Sequence, residues 1–188
     1  MDLDSWDLIH MRMLNGSVEN WVKMYQTVFR LVIPKSRHLA FLIRPPRHLK
    51  PGYGWLEHVE MDIVPRCDDG TLPSDSRLVA WSQYLLAATQ EFGRPLAYNT
   101  DTRGMLDRQG FVEVQEQIIK VPLNPWPADP HLKDIGRWYN LGLTQGLEAL
   151  TLGPMTRIGG WSKETVDKLV MEAKREICAK RFHAYCNM

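Results

Sequence analysis

Cysteine is scarce in this sequence. The 188 residues hold three, Cys67, Cys178 and Cys186, scattered and without a CxxC pair. Such spacing gives neither a disulfide framework nor a zinc site, and no metal is expected; it suits reduced thiols inside a cell. An excess of either charge is also lacking: 23 basic residues face 22 acidic ones, a net charge of +1. General affinity for nucleic acid would need an electropositive face, so none is expected. The one basic concentration lies at residues 35–50, with Lys35, Arg37, Arg44, Arg47 and Lys50. Long apolar runs are missing too. The longest, residues 39–43, is far too short to cross a bilayer. The opening Met-Asp-Leu-Asp-Ser-Trp-Asp has no basic region followed by an apolar core, so it reads as no signal peptide. A soluble cytoplasmic protein is expected, with the nucleus as the alternative and no membrane partner.

Apolar residues make up 44% and charged residues 24%, which suits one domain with a sizeable core. Residues 6–12 are short and mostly apolar, like a buried strand of a parallel sheet. Asn15-Gly16-Ser17 turns the chain, with Ser17 as N-cap. Trp21, Met24, Tyr25, Val28 and Phe29 then recur at helical spacing, predicting a helix over 18–30. Residues 55–62 predict a strand whose carboxylates alternate with apolar residues. A polar loop over 67–76 leads to a helix over 78–92, with Leu78, Trp81, Leu85, Ala88 and Phe92 on one stripe. A short helix over 102–109 is stopped by Gly110. Residues 111–121, rich in β-branched side chains, read as a long strand. Residues 122–130 contain four prolines and read as a loop. A helix over 135–150 carries Trp138, Tyr139, Leu143 and Leu147. Ser162 caps another helix that runs to about Lys180. On it, Glu172, Lys174, Arg175 and Glu176 read as a solvated face. Residues 181–188 form a closing strand. Alternating strands and helices give the α/β class.

Several strings stand in a telling order: WDLIHMRMLNGSVENW, HLKPGYGWLEHVE, CDDGTLP, GFVEVQE, VPLNPWPADPHLKDIGRWYNLGLTQGLEAL and FHAYCNM. Together they cover nearly all of the chain except residues 31–47. They resemble the fungal LaeA-like class I S-adenosylmethionine-dependent methyltransferase family. The resemblance implies a partial Rossmann-like class I methyltransferase fold, holding strands four to seven with their helices and lacking strands one to three. On that reading residues 1–188 are a single truncated domain. Residues 31–47 interrupt the family's text. Deleting them joins Phe29-Arg30 to His48-Leu49-Lys50 and restores it, as an unremoved intron would; a genuine surface loop is the competing reading.

The resemblance further implies S-adenosyl-L-methionine as cofactor and a place in fungal secondary metabolism. Members carry a G-x-G-x-G cofactor loop after their first strand. The only G-x-G here, Gly52-Tyr53-Gly54, follows a helix end and opens a strand, so it reads as a turn. Three functions follow: a methyltransferase, a non-catalytic accessory protein binding a pathway intermediate or partner, or a LaeA-like regulator.

Ligands of open α/β sheets sit at the carboxyl ends of strands. That rule makes His10 a candidate base or cofactor wall, with a packed, hydrogen-bonded histidine as the alternative. It puts Met11 and Arg12 toward the cofactor and Asn15 toward the substrate. Glu57 and His58, also substrate candidates, lie on opposite faces of their strand, so either one of them faces a helix layer or the strand lies at the edge of the cleft. The resemblance places Trp126, Trp138 and Tyr139 in a substrate-covering segment. Aromatics there would stack on a small aromatic or polyketide-like metabolite, and core packing is the alternative. Without strands one to three, the fourth becomes an open edge that exposes Leu8, Ile9 and Met11. Self-association or a protein partner is the expected outcome.

Overall fold

The computed structural model describes residues 6–29 and 54–188. The basic concentration at 35–50, the run at 39–43, the interruption at 31–47 and most of the 52–54 turn lie outside the described residues. In chain order the elements are β1 (Leu8–Arg12), α1 (Trp21–Phe29), β2 (Trp55–Val59), α2 (Arg77–Glu91), α3 (Thr102–Gln109), β3 (Lys120–Pro122), α4 (Pro130–Arg157), α5 (Lys163–Ile177) and β4 (Tyr185–Asn187). The described residues are thus mixed α/β, with five helices and two small sheets, β1–β2 and β3–β4. They fall into two compact units: residues 6–14, 18–29, 54–60 and 99–117 in the first, and 15–17, 61–98 and 118–188 in the second. No helix among the described residues is long and apolar enough to cross a membrane.

In the first unit β1 and β2 run parallel, with Leu8 opposite Trp55 and Met11 opposite His58. Side chains alternate between the two faces of a strand. One face turns Met11 into a cluster with Val18, Trp21, Tyr25, Val28, Met105 and Leu106, while Ile9 and Leu56 pack beside it. The other carries Leu8, His10 and Arg12, all exposed. The expected apolar edge is therefore only partly open. Leu8 is 52% exposed, but Met11 is only 6% exposed. Helix α1 starts later than its Ser17 reading. Asn20 supplies the cap instead, its Oδ1 accepting from the Lys23 amide at 2.9 Å. Ser17 sits in the preceding turn. Helix α3 has the expected bounds, and Gly110 ends it at φ 97°. The left-handed cap needs glycine there, and a Cβ would also meet the Phe29 ring at 2.8 Å.

The second unit packs α2, α4 and α5 around Trp81, Leu85, Leu147, Met155, Val166 and Ala173. Ser76 caps α2 by accepting from the Val79 amide, and Leu78, Trp81, Leu85 and Ala88 are buried as the stripe requires. Phe92 is the exception at 60% exposed, because it is the C-cap and lies past the packed face. Helix α4 is longer than expected at both ends. Pro130 opens it, and the Asp129 side chain accepts from the Leu132 amide at 2.8 Å. Proline tolerates that first position because its missing N–H would be unpaired anyway. Ser162 caps α5 as expected.

Three further expectations are corrected. Residues 111–121 are not a long strand, since among the described residues pairing is confined to Lys120–Pro122 with β4 and to Ile119, which exchanges backbone bonds with Met188. Glu113 sits at φ 56°, which breaks the extended run, and Val112 is 82% exposed with nothing to pack on. β-Branched residues favour a strand only where a neighbour covers them. The closing strand shortens to Tyr185–Asn187 for the same reason, since its partner β3 is three residues long. Glu176 is no solvated residue. Its carboxylate accepts from the Ser76 hydroxyl at 2.5 Å and from the Arg77 and Leu78 amides at 3.1 and 3.0 Å.

Candidate functional site

Because β1 and β2 are parallel, both of their carboxyl ends lie at one edge of the first unit. His10 and Glu57 face each other across the strands on the exposed face. His10 Nδ1 and Glu57 Oε2 are 2.7 Å apart, with side chains 46% and 59% exposed. The carboxylate orients the imidazole and leaves Nε2 for proton exchange with a bound group. Arg12 stands at the end of that same face, exposed, opposite Val59. Past the strand, Met13 has φ 55°, an uncommon conformation for a residue with a Cβ. Its amide donates to the Val59 carbonyl at 2.9 Å, carrying the ladder one step beyond the strand.

On the covered face Glu57's neighbour His58 turns to the helix layer, as their alternation requires. Its ring lies 5.0 Å from that of Trp21 and its Nδ1 3.1 Å from the Tyr25 hydroxyl. Its Nε2 contacts Glu60 Oε1 at 2.9 Å. Met11, the other cofactor candidate, is buried in the cluster beside this layer. Neither Tyr25 nor Glu60 stood out in the sequence. Tyr25 read as one of five apolar-stripe residues, and Glu60 as one of the outward carboxylates.

In the second unit Trp126 stacks on His183, with ring centroids 4.7 Å apart, and donates from Nε1 to the Ala184 carbonyl at 3.1 Å. His183 Nδ1 lies 2.5 Å from Asp69 Oδ2. Asp69 Oδ1 accepts from the Cys67 thiol at 3.1 Å and from the Thr71 hydroxyl at 2.8 Å. The Cys67 and Thr71 hydrogen bonds, with His183 adding to them, hold the Asp69 carboxyl well below its usual range. Next to it, Asp68 accepts from Lys120 at 2.5 Å and from the Tyr185 hydroxyl at 2.7 Å, and those two bonds lower its carboxyl too. The string CDDGT thus ties its loop to β3 and to the start of β4. Of this group, only Trp126 stood out in the sequence as a site candidate.

Trp138 and Tyr139 part company on α4. Trp138 is 74% exposed, while Tyr139 packs against the core cluster. Burial pushes the Tyr139 hydroxyl well above the ordinary tyrosine range, helped by its contact with Cys186. Burial likewise pushes the Cys186 thiol up to about 12, with the Asp62 charge adding to it. Both groups therefore stay protonated at neutral pH, and neither offers a nucleophile there. Asn15 is half-buried and belongs to this second unit. His10, Met11, Arg12, Glu57 and His58 are gathered in the first. Among the described residues no group of three His, Cys, Asp or Glu side chains is placed to hold a metal ion.

No family model and no solved structure matches the chain. Curated proteins do. The chain is 50% identical over 98% of its length to the secondary metabolism regulator LAE1 of Cochliobolus heterostrophus, of which it covers 55%. It is 38% identical over 99% of its length to the secondary metabolism regulator laeA of Fusarium oxysporum, covering 54%. To the secondary metabolism regulator laeA of Monascus pilosus it is 41% identical over 97% of its length, covering 45%. The chain spans about half the length of the curated relatives it matches. Identity of that level along nearly the whole chain places it in the fungal LaeA-like family.

Proposed function

We propose that this chain is part of a regulator of fungal secondary metabolism built on a class I methyltransferase fold. The observation that carries the reading is the 50% identity to LAE1 over 98% of the chain. On this reading β1 and β2 are the fourth and fifth strands of that fold, and strands one to three lie outside the chain. Their parallel pairing supports it, since the fold's sheet is parallel there. A regulator should act on many pathways at once. Disrupting the locus in the host fungus should therefore lower several chemically unrelated metabolites together, read by mass spectrometry. Loss of a single metabolite family would instead identify a pathway enzyme.

S-adenosyl-L-methionine would supply an electrophilic methyl group. Arg12 and Met13 would line one side of it, because the Met13 turn ends β1 where ligands of such sheets bind. His10, oriented by Glu57, would take a proton from an acidic nucleophile. Only part of a cofactor cradle is formed by these residues. Calorimetric titration of the chain with S-adenosyl-L-methionine should accordingly give binding no tighter than about millimolar. Micromolar binding would mean that the described strand ends suffice, and would remove the need for contacts from outside the chain.

A further inference from the structure

The covered face of the first unit holds a polar chain inside an otherwise apolar cluster. It runs from Tyr25 on α1, through His58 on β2, to Glu60 just past β2. The Tyr25 hydroxyl is 3.1 Å from His58 Nδ1, and His58 Nε2 is 2.9 Å from Glu60 Oε1. Tyr25 is 0% exposed, and the His58 and Glu60 side chains are 9% and 5% exposed. Polar groups this deep are costly unless each meets a partner. Here the chain has a direction. An ionised carboxylate only accepts, so the proton between His58 and Glu60 sits on Nε2. In that tautomer Nδ1 accepts, and the Tyr25 hydroxyl donates to it.

The same Glu60 Oε1 that meets His58 also accepts from the Leu14 amide at 2.8 Å. Leu14 follows Met13, the residue held at φ 55°. A left-handed residue with a Cβ stores strain and persists only where its neighbours hold it. Two bonds hold this one: Met13 N–H to the Val59 carbonyl, and Leu14 N–H to Glu60. The first comes from the ladder, and the second comes from a side chain. That side chain has rotamers of its own, and the His58 contact at 2.9 Å helps to hold the one seen. His58 in turn is fixed by Tyr25 on one side and the Trp21 ring on another.

We infer that Tyr25, His58 and Glu60 form a positioning relay that sets the backbone just after β1, residues 13–14, in its ligand-receiving shape. The inference deepens the proposed function and rests on it for the word ligand, which there means S-adenosyl-L-methionine. The relay residues touch the loop backbone or one another, so they act through that loop.

Tyr25→Phe tests it. The ring and its packing stay, and the atom removed is the one that meets His58 Nδ1. Amide hydrogen exchange of Leu14 in the 188-residue chain, followed by NMR, should speed up about fivefold, the scale of one hydrogen bond's net contribution. Exchange of Leu169 in α5 serves as the internal control and should not change. Glu60→Gln keeps an acceptor and should retain most of the Leu14 protection, whereas Glu60→Leu should lose it. Unchanged Leu14 exchange in Tyr25→Phe, with the control also unchanged, overturns the relay. Equal acceleration at Leu14 and Leu169 overturns it as well, because that is general loosening. The ligand reading fails on a different sample. It fails if S-adenosyl-L-methionine at tens of millimolar shifts neither the Met13 nor the Leu14 amide in the unsubstituted chain.

Discussion

Trp81→Ala should cost about 3–5 kcal/mol of stability, the range for deleting a large buried aromatic. Trp81 is 1% exposed and stands in the cluster where α2, α4 and α5 meet. Its loss opens a void bordered by helices from three parts of the sequence, which cannot close in without shifting one another. A polar element adds to the apolar one. Trp81 Nε1 donates to Thr151 Oγ1 at 2.8 Å, and Thr151, itself fully buried, donates to the Leu147 carbonyl at 2.5 Å. Trp81→Phe separates the two contributions. It keeps most of the ring packing and removes the indole donor, so about 1 kcal/mol of the total should remain attached to that bond. Urea unfolding followed by circular dichroism measures both variants. A Trp81→Ala chain within about 1 kcal/mol of the parent would contradict the described core.

A second large effect is expected at Gly136, and its sign should reverse a few residues along the same helix. A Cβ on Gly136 would meet the Asn124 carbonyl oxygen at 2.4 Å and its carbon at 2.8 Å. Those are backbone atoms, and they are pinned. The Asn124 oxygen already accepts from the Trp126 amide at 2.8 Å, and Leu123 N donates to the Ala184 carbonyl at 3.0 Å. The Asn124 side chain adds a bond to the Phe182 carbonyl at 3.2 Å. Gly136→Ala must therefore push α4 away, at an overpacking cost of about 1–3 kcal/mol. That outweighs the helix-propensity gain of about 1 kcal/mol. Gly142 and Gly146 lie in the same helix, and a Cβ on either meets nothing within 4 Å. Alanine there should stabilise by about 0.5–1 kcal/mol. Stabilisation by Gly136→Ala would show that α4 does not rest on residues 122–124.

What was legible in the sequence depended on how local its cause was. Helices α2 and α5 could be read because one-sided burial imprints a helical period, and α5 also because Ser162 caps it from within four residues, whereas the Ser76 cap of α2 went unread. Helix α3 ended where Gly110 said it would. The start of α4 was also written locally, in Asp129-Pro130, but the surrounding prolines outvoted it. Its far end was not. Pro154 ordinarily ends a helix, yet α4 carries on to Arg157. Residues 111–121 failed for the opposite reason: their β propensity is real, and no neighbouring strand answers it over most of their length. At the candidate site, the period of two was enough to put Glu57 and His58 on opposite faces. Which partners they meet was set by the register of β1 on β2 and by the seat of α1. Tyr25 and Glu60 were invisible for that reason, since one apolar-stripe tyrosine and one strand-end carboxylate are ordinary on their own. Family resemblance was carried by long contiguous strings, which survive any error about which face a residue takes.

The Glu176 cap has a consequence for how the chain is made. Its bond to Ser76 spans a sequence separation of 100 residues. At about 5–20 residues per second of synthesis, roughly 5–20 s pass between the emergence of the two. During that interval the first turn of α2 has Ser76 on the Val79 amide, but its Arg77 and Leu78 amides await an acceptor that has not yet been translated. Helix α2 can form early, but its first turn is completed only when α5 has left the ribosome.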